Sequence, residues 1–343
     1  MRVLRSLESL SGLPAPDIFY MHNYLEAEVV RTGWDPYILI DTESEIIWPL
    51  FRRQTAPESK NFDLSGPAGY GGPVHLRGGD RQDPRMMAAF VARAVEHLRT
   101  SGCVTIFDRI HPFLDKGVES LHVLRSSIDT VSRTFWVDLR KGADSYWDAA
   151  KGRHRTAVRK ARSSGLEIDI KIAGSTSLSA GSDFVRLYNA TMDRVAASSS
   201  YRYEADYYRS LERLGQGGHL VLATANSNKD AVAAALFLTA GRYVHYFLAG
   251  SLKEGARLGV NNLLIDGVVR WAIDEGFEWF ELGGGVRPGD SLAKFKHSIA
   301  DVVQPFCTAR LVLNDELFRQ KIASMSGTVD YSFFPPYANP EVP

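Results

Sequence analysis

Residues 151–162 read KGRHRTAVRKAR, and six of these twelve are Lys or Arg. On a helix Lys151, Arg155, Arg159 and Arg162 follow at spacings of 4, 4 and 3 and share one face. No carboxylate stands within the stretch, and His154 adds a further nitrogen base. Such a row suits phosphates, an RNA backbone or a nucleotide; the alternative is a solvated face whose carboxylates come from elsewhere in the fold. Gly283-Gly-Gly285 closes the apolar run FEWFEL. Three glycines at a strand end let backbone N–H groups approach an anion or a carbonyl oxygen; otherwise they make a tight loop. Lys296, in Leu292-Ala-Lys-Phe-Lys296, follows closely and could stand beside a developing oxyanion or, as most lysines do, in solvent. Asp108 ends the run Cys103-Val-Thr-Ile-Phe107, and a strand-end carboxylate could take a proton from an amine; an Asp108–Arg109 loop ion pair is the alternative. Tyr188, Thr191, Arg194, Tyr201, Arg202, Tyr203, Tyr207 and Tyr208 crowd one segment, which fits stacking on bases or sugars as well as ordinary packing.

Other chemistries lack their residues. His22, His75, His97, His111, His122, His154, His219, His245 and His297 show no HxxxH or HxH spacing, so no metal site is expected. Cys103 and Cys307 are the whole cysteine complement, which excludes a disulfide framework and a cysteine zinc site. No GxSxG occurs, and the triple glycine is not a GxGxxG, so a serine triad and a dinucleotide fold both fail. Lys plus Arg number 40 and Asp plus Glu 40, so nucleic acid must be held by a local basic patch, and DNA is not an expected partner. The N-terminal stretch has no apolar core of a signal peptide, and Ala231 to Gly250 is too interrupted to span a membrane. A cytoplasmic protein is expected.

The elements that must carry these residues fall into two similar halves of an α/β chain, in line with about 150 residues per domain. Tyr37-Ile-Leu-Ile40 and Glu45-Ile-Ile-Trp-Pro-Leu-Phe51 flank a polar turn, as do Leu220-Val-Leu-Ala223 and Ala231 to Leu238. A helical pattern over Met87 to Thr100, then Gly102 and a strand, recurs as Leu263 to Asp274, Gly276 and Phe277 to Leu282. The two correspondences lie at offsets of 183 and 174 residues, which points to a duplicated unit. Phe135-Trp-Val-Asp-Leu139 reads as the last strand of the first half, with a helix opening at Tyr146-Trp147. The expected domains are 1–145, 146–300, and a C-terminal strand, helix and tail over 301–343. The strand Phe306 to Leu313 could join either sheet, and Phe333 to Pro343, with four of the fifteen prolines, reads as an extended strap.

Taken together, these residues resemble the FemABX-like branch of the GNAT superfamily. The resemblance enters at Trp147 and the helix Arg153 to Ala161, and runs through Phe184-Val-Arg-Leu-Tyr188, Thr191 to Arg194, and Tyr203 with Tyr207. It continues in Ala233 to Phe237, His245-Tyr246, Ala249-Gly-Ser251 and Asn261 to Leu264, and closes with Leu282-Gly-Gly-Gly285 and Phe295-Lys296. Gly69-Tyr70-Gly-Gly-Pro73 looks like the corresponding first-half loop. The resemblance implies two tandem GNAT-like (acyl-CoA N-acyltransferase-like) domains with a crevice between them, the first on the acceptor side and the second on the donor side. It is of the compact type without a helical arm. It implies transfer of an amino acid from aminoacyl-tRNA to an amine, forming an amide, on peptidoglycan precursors or natural-product intermediates. By the same resemblance Phe295 and Lys296 are the catalytically important pair, with Asp108 a candidate base. Arg202 or Arg194 would hold an acceptor phosphate, and Tyr246, Tyr70 and Gly283, Gly284 and Gly285 would line the substrate site. No lysine stands in Asp17 to Ala27, and Asp108 is separated from Pro112, so a small soluble amine stands beside a peptide as acceptor.

Two other readings share the fold. An acyl-CoA N-acyltransferase needs [QR]xxGx[GA] before a helix, so that backbone N–H groups grip the diphosphate. Ala256-Arg-Leu-Gly-Val-Asn261 keeps only Gly259 of that pattern. A non-catalytic RNA-binding module would keep the fold without the chemistry. The leading expectation is an aminoacyltransferase whose partners are charged tRNA and a small amine or peptide acceptor. Lys151, Arg155, Arg159 and Arg162 would hold RNA phosphates, and neither cofactor nor metal is required.

Overall fold

The computed structural model describes residues 1–55, 59–78, 83–114, 128–285, 287, 289–326 and 328–338. The chain divides into two units, Met1–Val131 with Pro305–Pro343, and Ser132–Gln304.

The first unit is built on β1 (Arg2–Leu4), β2 (Asp35–Asp41), β3 (Ile46–Gln54), β4 (Phe62–Ser65), the short β5 (Val74–His75) and β6 (Cys103–Ile110). Their order is β1-β2-β3-β4-β6, with β5 on β3, and β13 (Val302–Val312) completes the sheet beyond β6. Tyr37 to Ile40 and Ile46 to Phe51 form the expected hairpin, closed by Glu45 in the left-handed region at φ 51°. Pro49 falls where β3 has β2 on one side only, between the residues paired to β5 and those paired to β4, so its missing N–H breaks no second ladder. Helices α1 (His22–Thr32) and α2 (Pro84–Thr100) belong to this unit. Asp83 caps α2 by accepting from the Arg85 N–H, Pro84 occupies the first turn, and Gly102 at φ 88° ends it. Met87, Phe90, Val91, Ala94, Val95 and Leu98 recur at helical spacing and pack on Tyr37, Leu39, Trp48, Phe62 and Ile106. Burial of each of the Met, Phe, Val and Leu side chains contributes about 1.5–3 kcal/mol before the entropy of ordering is counted. Helix α10 (Asp315–Ala323) and the tail follow β13. Phe334 lies against Phe107 and Phe318, and Tyr337 Oη donates to Asp63 at 2.9 Å. Residues 339–343 of the expected strap lie outside the described residues.

The second unit repeats the pattern with β7 (Ile128–Asp138), β8 (Glu167–Ile172), β9 (Leu220–Ser227), β10 (Asp230–Ala240), β11 (Tyr243–Ser251) and β12 (Trp279–Gly283). Their order is β8-β9-β10-β11-β12-β7. Its helices are α3 (Gly142–Ala149), α4 (Gly152–Ser163), α5 (Asp183–Arg194), α6 (Ala205–Gln216), α7 (Lys253–Leu258), α8 (Val260–Asp274) and α9 (Ser291–His297). Helix α8 buries Leu263, Leu264, Val268, Val269 and Ala272 against the sheet core and is followed by Gly276 at φ 82°. In both units an antiparallel three-stranded run leads through one crossover helix or helix pair to a parallel strand, which an antiparallel strand then flanks. The duplicated hairpin, helix, glycine and strand are thus present.

The division falls at Val131/Ser132, not near Ser145. Phe135, Trp136, Val137 and Asp138 pair with Gly283, Glu281, Phe280 and Trp279, which draws this strand into the second unit. The final strand returns to the first unit, where Cys307–Val312 pair with Ile110–Thr105. Tyr146 and Trp147 lie inside α3 rather than opening a helix.

Candidate active site

In the second unit the parallel pair β11/β12 is short. Tyr243, Val244 and His245 pair with Trp279, Phe280 and Glu281, and there the ladder stops. β11 continues along β10 and β12 along β7, so the strands fork. The triple glycine leaves the fork, and α9 brings Lys296 back to it. Asp290 fixes the return: one carboxylate oxygen accepts from the Ala293 N–H at 2.7 Å and caps α9, while the other accepts from the Arg287 N–H at 2.9 Å. Lys296 is buried, 8% exposed, and its Nζ donates to the carbonyl oxygen of Gly284 at 2.7 Å.

The glycines answer to close approach. Gly283 has φ 72°, and a Cβ there would stand 3.1 Å from Lys296 Nζ. At Gly284 a Cβ would lie 2.9 Å from the Arg133 carbonyl oxygen, and at Gly285 it would lie 2.6 Å from an Asp290 carboxylate oxygen. Burial pulls the Lys296 ammonium down to about 8, and Glu281 and Asp290 act against that fall. At neutral pH it is mostly charged, with N–H groups left over after the bond to Gly284.

Sequence reasoning missed the buried hydrogen-bonded pair behind the lysine. His245 and Glu281 are both buried, and His245 Nδ1 donates to Glu281 Oε2 at 2.6 Å. Trp136 presents its edge to His245. The available signal was Glu281 itself, a carboxylate between Phe280 and Leu282 in an otherwise apolar strand centre. Tyr246 lies beside Lys296, its ring centroid 6.0 Å from Nζ, and burial pushes its hydroxyl up to about 12. Phe295 packs on the core of the unit. The fork therefore gathers Lys296, Tyr246 and the three glycines with Glu281, His245 and Asp290, while Phe295 packs on the core.

The basic helix is α4, and it is partly spent on the fold. Arg162 pairs at 2.7 Å with the fully buried Asp266 of α8, which also holds Arg270 at 3.2 Å. Arg155 donates to the carbonyls of Trp147, Asp148 and Ala150, which end α3. The missing carboxylate of the row thus comes from 104 residues away. Arg159 lies over the Trp147 ring at 5.5 Å, and Lys151 Nζ lies 3.2 Å from the His297 ring nitrogen. Lys151, Arg153 and Arg159 remain exposed. His154 is no part of the cationic face. It is buried between Tyr146 Oη and Asn262 Nδ2, each at 2.9 Å, and burial lowers it to about 4, so it is neutral.

Arg194 donates to the Ser251 carbonyl at 2.7 Å and ties α5 to the end of β11. Arg202 pairs with Asp193 at 2.8 Å on an exposed surface. Of the tyrosines, Tyr188 stacks on Phe184 and Tyr203, and Tyr203 lies against Tyr207, so much of this cluster is packing.

Asp108 and Tyr70 belong to the first unit, Lys296 to the second. Asp108 is fully buried. Its carboxylate accepts from Trp48 Nε1 at 2.7 Å, the Gly72 N–H at 2.9 Å and the Arg109 N–H at 2.8 Å. A Cβ at Gly66 or Gly71 would collide with it. Burial pushes its carboxyl up to about 6, against the hydrogen bonds from Trp48, Arg109 and Gly72. It anchors the loop over 66–72 and makes no side-chain ion pair with Arg109. Tyr70 is buried edge-on against Phe19, His111 and Phe306. Beside them Asp17 and His111 form a buried pair at 3.0 Å that the sequence did not signal. His111 Nδ1 accepts from the Phe113 and Leu114 N–H groups, so its Nε2–H faces Asp17.

Among the described residues no cluster of His, Cys, Asp and Glu could hold a metal ion, and no helix is long and apolar enough to cross a membrane. His122 lies outside the described residues.

Residues 149–296, a span that closes on Lys296, match the acetyltransferase (GNAT) domain family. The fold is similar to that of FemX, with 14% identity over 93% of this chain and 99% of that chain at a TM-score of 0.69. It is also similar to a conserved protein of unknown function from Bacteroides thetaiotaomicron, 10% identical over 92% of this chain and 100% of that one, TM-score 0.56. A third similar fold is the C-terminal domain of a protein from Agrobacterium fabrum assigned as a lysylphosphatidylglycerol synthetase, 15% identical over 86% and 87% of the two chains, TM-score 0.54. No curated protein matches the sequence. The second unit thus carries a stretch that matches the acetyltransferase (GNAT) domain family, and the fold over most of the chain is similar to that of FemX. The similarity is one of fold, and it agrees in kind with the resemblance read from the sequence.

Proposed function

We propose that the chain transfers an aminoacyl group from a charged tRNA to the amine of a small-molecule or peptide acceptor, forming an amide. The observation that carries this reading is the buried ammonium of Lys296, held on the Gly284 carbonyl at the fork of β11 and β12. The ester linking an amino acid to tRNA is already activated, so no covalent enzyme intermediate is needed. The acceptor nitrogen attacks the ester carbonyl, the bond from that carbon to the ribose oxygen breaks, and a proton passes from the amine to the leaving oxygen. The enzyme contributes placement and a donor for the tetrahedral oxyanion. Lys296 would supply that donor from an N–H not taken by Gly284, in surroundings dry enough to strengthen it. Phe295 and Tyr246 would shape the pocket for the aminoacyl end. Glu281, fixed by His245, would keep the lysine charged.

Two features favour RNA over coenzyme A as donor. Exposed Lys151, at the N-cap of α4, and Arg153 and Arg159, on that helix, stand in the same unit. The start of α8, where a CoA diphosphate would be gripped, keeps only Gly259 of the [QR]xxGx[GA] pattern in Ala256-Arg-Leu-Gly-Val-Asn261. Amines of natural-product or cell-wall precursors are the acceptor classes, and dependence on charged tRNA implies a cytoplasmic site of action. The test supplies total tRNA charged with labelled amino acids and a pool of amines, with and without ribonuclease, beside labelled acetyl-CoA. Label in an acceptor that vanishes after ribonuclease supports the proposal. Label from acetyl-CoA alone assigns the chain to acyl-CoA transfer, and binding of tRNA without transfer from either donor assigns it to RNA binding.

A further inference from the structure

The first unit contains a cavity of about 740 Å³ that the proposed transfer leaves unused. Its walls come from α1, β3, β4 and β6, with Phe333 and Phe334 of the C-terminal segment over it. That segment is held at its far end, where Tyr337 Oη donates to Asp63 at 2.9 Å and Arg53 donates to the Ala338 carbonyl at 3.2 Å.

The polar inventory of the walls is lopsided. The Glu28 carboxylate is saturated by Arg31, at 2.8 and 2.7 Å, and by the Ala68 N–H at 2.8 Å. The Asp63 carboxylate accepts from Thr105 at 2.7 Å, Tyr337 at 2.9 Å and Arg53 at 3.3 Å. Arg109 differs. Its guanidinium lies 4.8 Å from the Phe107 ring centroid and makes one long hydrogen bond, from Nη1 to the Pro67 carbonyl at 3.4 Å. Its neighbour Asp108 takes the Arg109 backbone N–H, not the side chain. A guanidinium carries five N–H donors, and most of these have no protein partner among the described residues. Burial pulls its pKa down, against the pull of Asp108 and Glu28. The side chain is partly buried, and the donors that no protein group takes are open to a ligand in the cavity. Around it the walls are apolar: Phe51, Leu64, Phe107 and Phe333.

We propose that this cavity is a binding site for a small organic anion, its carboxylate or phosphate on Arg109 and its apolar body against Phe107 under Phe333. Guanidinium pairs with either group through two parallel N–H bonds, and the apolar walls select against inorganic ions. The site stands on the first unit alone and is independent of the donor used in the second.

Calorimetric titration of the full chain tests it with three probes of one shape: phenylacetate, phenyl phosphate and the neutral phenylacetamide. At least one anion is expected to bind at least about tenfold more tightly than the amide, and the two anionic arms tell carboxylate from phosphate. Arg109→Gln is expected to lose about tenfold or more for the anion and nothing for the amide. Phe333→Glu, on the exposed segment, adds a negative charge over the cavity without touching Arg109 and is expected to weaken the anion likewise. Thermal unfolding of both variants establishes that they are folded. Equal binding of anion and amide, unchanged anion affinity in both variants, or no binding of either anion at millimolar concentration overturns the proposal.

Discussion

Lys296 and Gly284 meet across the turn that follows β12, Nζ donating to the carbonyl oxygen at 2.7 Å. The bond spans 12 residues and fixes a buried charge where two parallel strands part. The lysine has its aliphatic stem inside the unit and its charged end at the fork, with Glu281 and Asp290 as the carboxylates that sustain the charge.

The burial of Lys296 costs stability in a definite pH window. Its folded pKa is lowered to about 8 from 10.5. Between those values the unfolded chain holds a proton that the folded chain has released, so stability from this group rises with pH through the window. Lys296→Met is expected to be more stable than the parent at pH 7 and to lose that rise. Urea unfolding of both proteins at pH 7 and pH 10 checks this, and an identical pH dependence would show that Lys296 is not held in a desolvating site.

The Asp108 hub makes Gly66 and Gly71 intolerant. A methyl group at either would collide with the carboxylate that joins Trp48, Gly72 and Arg109. Gly71→Ala is expected to lower stability by about 1–3 kcal/mol through overpacking. Differential scanning calorimetry measures it, and a variant as stable as the parent would contradict the packing described.

The cations of α4 separate into two groups. Arg162→Ala breaks the pair with buried Asp266 and is expected to destabilise the fold, with a small effect on RNA binding at low temperature. Lys151→Ala with Arg159→Ala is expected to leave the fold intact, weaken tRNA binding and flatten its salt dependence by roughly 0.7–0.9 in logarithmic slope for each phosphate no longer neutralised. Filter binding across a salt series reads this, and an unchanged slope removes α4 from the RNA surface.

His245 acts through Glu281. His245→Gln is expected to lower kcat while KM for the charged tRNA stays near the parent value, and to shift the upper limb of the pH–rate profile downward as the lysine loses support. Glu281→Gln should shift it further. An unshifted profile in both would make the pair purely structural.

Much of this was legible from residue order. The hairpins, the two helix–glycine–strand runs and the return of Phe295-Lys296 behind the glycines are local patterns, and local patterns survive in sequence. The unit boundary was not legible, because only pairing with β12 decides that Phe135 to Asp138 join the second sheet. Asp266 as the partner of Arg162, and Asp108 as a buried hub, depend on approaches between distant residues, which spacing does not encode. Glu281 was visible as a carboxylate in an apolar strand, but its role needed His245 beside it.

The most direct test is a single-turnover measurement of aminoacyl transfer from charged tRNA by the parent and by Lys296→Ala, with folding of both verified. Ribonuclease-sensitive transfer by the parent is expected, with a loss of about 10²–10³ in rate for the variant, the scale set by removing one oxyanion donor. Transfer at the parent rate by folded Lys296→Ala would contradict the role given to the fork.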